Sequence, residues 1–523
     1  MTRWCPVLVA VFVLCSGVAR GEIRLAPGIG SHMVVQRDVP ILLRGSAQPG
    51  VAISITQGGN KVSATAGPDG KWSASLPPCE AGPIDDITIE GENRIVLTDL
   101  LGGDVWFAAG QSNMEFRLTR SSGASEDIAG ATNGQIRLCK IGRQLSLEPK
   151  GDVESAWEKC TPETAAEFSA VAYYFARELQ SALGGPVGII CAAWGGTPGE
   201  AWAAPEITRD DQAYAPLYAE WENYRKNYPA IKKQYDADMA AYEKKMAAPR
   251  EPGAKVPAKP LSKPEPDKNY RYPGVLFNGM IHPLVGLPVK GFLWYQGESN
   301  KDRYGQYKQL LSSLIADWRR RWGQGDLPFL IVSLANFKAP ATEPSDSGRA
   351  RLREAQAQVA REVPGCALTV TIDLGEAGDI HPRNKKDVGR RVALAALQKV
   401  YQRDVVGSGP VNRMVEFRGG HAIAEFDSVD GGLVIGKDGT GDKLDGFALS
   451  GNEREWHWAE AHIEGARVVV RSESVPEPVA LRYAWADNPP ATLYNKRGLP
   501  AVPFRTDDWP MVDDLSGKEG HPE

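Results

Sequence analysis

Five short apolar runs constrain this chain more than any other feature. They fall at residues 105–109, 187–193, 291–295, 329–334 and 367–372, and each ends in a small or polar loop. They are continuously apolar rather than alternating, as strands covered on both faces are. The segments between them follow a helical period. Phe168, Val171, Phe175 and Leu179 share one face, as do Leu310, Leu311, Leu314, Ile315 and Trp318. Residues 349–362 and 386–401 read as two more helices. Strands alternating with helices predict an α/β fold, a parallel sheet with helices on both faces. In such sheets ligands bind outside the carboxyl ends of the strands. The loops after the five runs are therefore where chemistry is sought.

Flanking this region the pattern is β. Residues 33–35, 39–43, 51–55, 72–76 and 87–89 are short β-rich runs, separated by turns at 47–50, 67–70 and 82–83. That spacing predicts an N-terminal β-sandwich. Runs at 422–426, 432–435, 466–470 and 479–484, with Gly-rich turns at 428–442, predict a C-terminal β-rich region. The expected division is 22–101, 102–402 and 403–512, followed by a polar tail at 513–523. Inside the central part, residues 212–272 break the pattern. Leu217, Trp221, Tyr224, Tyr228, Ile231, Tyr235, Met239 and Tyr242 keep a 3–4 spacing, with Pro229 predicting a kink or a break. Six prolines follow between 249 and 266, a stiff linker. The segment reads as an insertion: a surface hairpin, a lid or an oligomer contact.

Composition narrows the function. Lys and Arg number 60 against 65 Asp and Glu, a net charge of −5, which excludes a generically basic nucleic-acid binder. No run of 18 apolar residues follows residue 22, so no membrane-spanning helix is expected. Residues 1–21 have the charged start, apolar stretch and small-residue exit of a signal peptide, implying a secreted or periplasmic protein. Beyond the leader, Cys79, Cys139, Cys160, Cys191 and Cys366 remain. Five is odd, and the readings are a Cys139–Cys160 pair or five small buried side chains. No Cys/His spacing points to zinc, and no metal or organic cofactor is implied.

Nucleophilic catalysis needs a nucleophile, a base and donors for the oxyanion. Only His282 and His381 lie within the α/β region. His381 follows the last run in Asp379-Ile380-His381-Pro382, where Asp379 could orient the imidazole. Ser112 follows the first run in Gly110-Gln111-Ser112-Asn113-Met114, as a nucleophile or simply a helix cap. Trp194-Gly195-Gly196-Thr197 follows the second run, and its glycines would let backbone N–H groups approach a ligand. Gln296-Gly297-Glu298-Ser299-Asn300 follows the third run and offers side-chain amides, for a ligand or for a buried network.

Taken together and in this order, these four segments resemble the sialate O-acetylesterase family of carbohydrate esterases, within the SGNH hydrolases. Met33-Val34-Val35-Gln36-Arg37, Phe277-Asn278-Gly279-Met280-Ile281-His282-Pro283 and Gly498-Leu499-Pro500 extend the similarity along nearly the whole chain. The resemblance implies an SGNH-like fold and an O-acetylated sugar substrate. Ser112 would attack the acetyl carbonyl, His381 would act as base and Asp379 would hold it. The N–H groups of Ser112 and Gly196 and the Gln296 side chain would bind the oxyanion. Asn113, Trp194, Glu298, Asn300 and Asn278 would surround the substrate. SGNH hydrolases generally have Asp-x-x-His, whereas residue 378 here is Gly, and Asp373 is a second candidate orienter. Two other classes compete: a glycosidase using Glu200 and Glu298 as paired carboxylates, and a non-catalytic carbohydrate-binding protein. Oligomeric state is not readable from the sequence.

Overall fold

A computed structural model describes residues 22–247 and 257–510. The leader at 1–21 and the tail at 513–523 lie outside the described residues, as does part of the proline-rich linker.

All five apolar runs are strands of one sheet. Its order is Ser155–Cys160, Asn133–Ile141, Val187–Ala193, Leu100–Gly110, Gly291–Tyr295, Phe329–Val332 and Cys366–Thr369. Neighbours are parallel except the first pair, where Ser155–Cys160 forms an antiparallel edge. Helices Tyr304–Trp322 and Gly348–Glu362 pack together over one face, and Ala170–Leu183 and Lys385–Lys399 pack together over the other. This covering explains the unbroken hydrophobicity of the central strands: Phe107, Phe292, Trp294 and Phe329 meet Trp318 on one side, and Trp106 meets Phe175 on the other. The fold class is thus the expected one, an SGNH-like α/β sheet with β-rich flanks.

The central strand is shared. Residues 100–103 pair with Val34–Gln36 and Gly82–Ile84, and residues 104–110 pair with Val187–Ala193. At the crossover Asp104 is buried, and Arg37 donates to both its oxygens at 3.0 and 3.1 Å. Before this strand stand a three-stranded and a four-stranded antiparallel sheet. After the last helix, two four-stranded sheets and a strand pair share a separate core around Phe447, Leu449, Val468, Leu481 and Tyr483.

One expectation changes here and one alternative is decided. Ala215–Ala247 is one continuous helix through Pro229, without the expected break. Its aromatic seam is half-buried under residues 263–267, where Tyr224 and Tyr228 donate to Pro264 and Lys263 carbonyls and Arg225 pairs with Asp267. Of the two cysteine readings the unpaired one holds: all five are free thiols, four of them buried and Cys79 half-buried. Burial pushes the Cys191 thiol up to about 12 and suppresses its ionisation.

Candidate active site

The carboxyl ends of the central strands converge on Ser112. Gly110 ends its strand at φ +146°, and a Cβ there would lie 2.2 Å from the Tyr295 carbonyl, so only glycine fits this turn. Ser112 then opens the short helix Ser112–Glu115. Among the described residues its Oγ has no hydrogen-bond partner. Gly195 brings the second loop alongside, where an added Cβ would lie 3.2 Å from the Ser112 Cβ. Gly195 is fixed by its N–H, which donates to Glu115 Oε2 at 2.9 Å. The exposed Gly196 follows at φ +75°. Neither the Ser112 nor the Gly196 N–H has a protein acceptor among the described residues.

The fifth loop closes over the same place. Asn113 donates to the Ile380 carbonyl at 3.1 Å, which ties the Ser112 turn to the His381 loop. His381 Nδ1 lies 3.4 Å from Asp379 Oδ1, and the His381 N–H donates to that oxygen at 2.8 Å. This backbone donor is the main reason the Asp379 carboxyl is held below the usual carboxylate range. Asp373 is occupied elsewhere: Arg391 donates to both its oxygens at 2.6 and 2.7 Å, and Tyr494 adds a third bond. Of the two aspartates, Asp379 is the one that contacts His381. His282 bonds the Lys150 carbonyl and takes no part.

Several of the expected site residues are engaged within the protein. Gln296 is fully buried, and its amide is spent within the protein. Its Nε2 faces Gln111 Oε1, the Thr197 carbonyl and Asn300 Oδ1 at 3.1, 3.2 and 2.7 Å, while its Oε1 accepts from Tyr307. It ties together the loops that carry Gln111, Thr197 and Asn300. Asn300 is likewise consumed, accepting from Gly199 N–H and donating to both oxygens of Glu200. Buried Glu200 is also paired with Arg303, which removes it as a glycosidase acid. Asn278 is buried and donates to the Leu147 carbonyl. Asn113 spends both ends of its amide, on Glu298, Ile380 and Lys385. Glu298 is buried, with Oε1 on Asn113 and Oε2 unpartnered. Of the five expected substrate contacts, only Trp194 is partly exposed.

Sequence reasoning missed Lys385. It is fully buried at the start of helix Lys385–Lys399, donates to Asn113 Oδ1 and sits over the Phe116 and Tyr295 rings. Desolvation pulls its amine down to about 7, opposed chiefly by Glu298. A lysine four residues past the histidine gave no periodic signal. Among the described residues no group of three or more His, Cys, Asp or Glu is placed to hold a metal ion, and no helix is long and apolar enough to cross a membrane.

Comparison with known proteins shows what the chain is similar to. Residues 276–398 match the family described as carbohydrate esterase, sialic acid-specific acetylesterase. A carbohydrate acetylesterase from Xanthomonas citri superposes with a TM-score of 0.79 at 34% identity, over 93% of this chain and all of that one. Sialate O-acetylesterase of Rattus norvegicus is 27% identical over 95% of this chain and 97% of its own length. The Homo sapiens enzyme is 26% identical over 92% of each. The chain belongs to the sialate O-acetylesterase family of carbohydrate esterases, and it is an esterase.

Proposed function

We propose that this esterase removes O-acetyl groups from sugars by a Ser112 nucleophile, with His381 as base and Asp379 as its orienter. The observation that carries the reading is that an unpartnered serine hydroxyl, two unpartnered backbone N–H groups and an Asp-supported histidine lie on loops at the carboxyl ends of strands of one sheet, the serine turn tied to the histidine loop through Asn113. Ser112 Oγ attacks the acetyl carbonyl as His381 takes its proton, and charge moves onto the carbonyl oxygen. The N–H groups of Ser112 and Gly196 stabilise that charge. His381 then returns the proton to the departing sugar oxygen, leaving acetyl-Ser112. Water, deprotonated by His381, releases acetate and restores the hydroxyl. Ser112 and His381 are not hydrogen-bonded to each other here, as is common before substrate binds.

The free shape at Gly195–Gly196, open to solvent beside Trp194, suits an acetyl group carried on a larger polar alcohol. The names of the relatives support an acetylated sugar, with sialate as the leading candidate. The leader-like residues 1–21 support a secreted or periplasmic enzyme. The test is acetate release from a panel of O-acetylated sugars by wild type and Ser112→Ala. Loss of about 10³-fold or more in turnover, with an unchanged melting curve, is expected. Equal release by both proteins would assign the chemistry elsewhere.

A further inference from the structure

From the described part of the 212–272 insertion, Tyr270 reaches the loop beside Ser112. The half-buried seam of helix Ala215–Ala247 supports Tyr272, which packs on Tyr218 and Trp221 at 6.3 and 5.3 Å between ring centroids. Next to it, buried Asn269 shapes a turn: its Oδ1 accepts from Arg271 N–H and its carbonyl from Tyr272 N–H. The turn presents Tyr270. The Tyr270 ring stacks on Trp194 at 5.5 Å and 22°. Its hydroxyl lies 3.5 Å from where a Cβ on Gly196 would stand. That hydroxyl has no protein partner among the described residues. Trp194 is itself braced by the Arg143 guanidinium 5.0 Å away, and Arg143 pairs with Glu115, the residue that fixes Gly195.

We propose that Tyr270 is a specificity-determining residue that hydrogen-bonds the sugar of the substrate beside the oxyanion loop. This rests on the Ser112 reading above. An acetyl group is two carbons long and ends at the two backbone donors. An aromatic wall with a free phenol just outside them is therefore available to the larger part of the substrate, the sugar. Aromatic faces match the C–H faces of a sugar ring, and a phenol can donate to or accept from its hydroxyls. The turn at residues 269–272 is then the part of the insertion that contributes to the sugar subsite.

The experiment compares wild type with Tyr270→Phe and Tyr270→Ala on an O-acetylated sialic acid and on 4-nitrophenyl acetate, which has no sugar. Losing one hydrogen bond in Tyr270→Phe should lower the ratio of kcat/KM for the sugar ester to that for the aryl ester about tenfold. Tyr270→Ala should lower it further, and the deacetylated sugar should weaken as a competitive inhibitor in parallel. Equal losses on both esters, or no change in the ratio, would overturn the proposal. If wild type cleaves neither ester, or Ser112→Ala cleaves both, it is the Ser112 reading that fails, a result the ratio cannot mimic.

Discussion

Most of the site's organisation turns on amide side chains and one amine buried around Ser112. Asn113 joins the serine turn, the histidine loop, Glu298 and Lys385 through a single side chain. Lys385 gives this cluster a pH signature with a definite sign. Its folded-state pKa of about 7 lies below that of an exposed lysine, so the unfolded chain binds more protons between those values. Burying the ammonium costs stability at full strength below pH 7, and the cost is relieved as pH rises toward 10. Wild type should therefore gain Tm from pH 6 to pH 9 relative to Lys385→Met. A parallel pH dependence in the two proteins would contradict the assignment. The two aspartates near His381 separate in the same direct way. On the proposed mechanism, Asp379→Asn should lower kcat about 10²-fold or more while leaving Tm nearly unchanged, since Asp379 is half exposed and stands beside the His381 imidazole. Asp373→Asn should do the reverse, lowering Tm with little effect on kcat, because Asp373 serves Arg391. Exchanged phenotypes would reassign the orienter.

Among the elements, the strand-to-loop junctions were legible in the sequence and their connections were not. The five apolar runs, the glycine at the end of the first and the His-containing loop after the last were readable because each is local. The fate of Gln296 was not. A polar cluster after an apolar strand reads equally as a ligand site or a buried network, and only the third dimension brings Gln111, Thr197 and Tyr307 around it. Lys385 and Tyr270 were invisible for the same reason: their partners lie on distant loops. The helix at Ala215–Ala247 shows a further limit. Its 3–4 seam was plain, but Pro229 suggested a break that a long solvent-facing helix, backed by its own return segment, tolerates. Because Gln296 ties three loops, Gln296→Leu should lower stability by about 1–3 kcal/mol and activity together. Lost activity at unchanged Tm would instead restore the oxyanion role.

At the scale of the whole molecule, the Leu100–Gly110 strand makes the N-terminal β region and the esterase sheet one structure. A single strand carries ladder bonds of both, and one hydrophobic core runs from Ile23 to Cys366. These parts should melt in one calorimetric transition. Arg37→Ala, which strips the guanidinium from buried Asp104, should move that transition down as a unit. A separate, earlier transition for the N-terminal part would contradict the shared core. The same strand ends at the Ser112 turn, so the proposed chemistry stands at the end of a strand paired with four others. The most direct test of the account is to mix the enzyme with an O-acetylated sugar, quench within a turnover and map acetylation by peptide mass spectrometry. The account predicts one acetyl group on Ser112 that vanishes in Ser112→Ala and with time. Acetate release with no acetyl-Ser112, or acetyl carried on another residue, would contradict it.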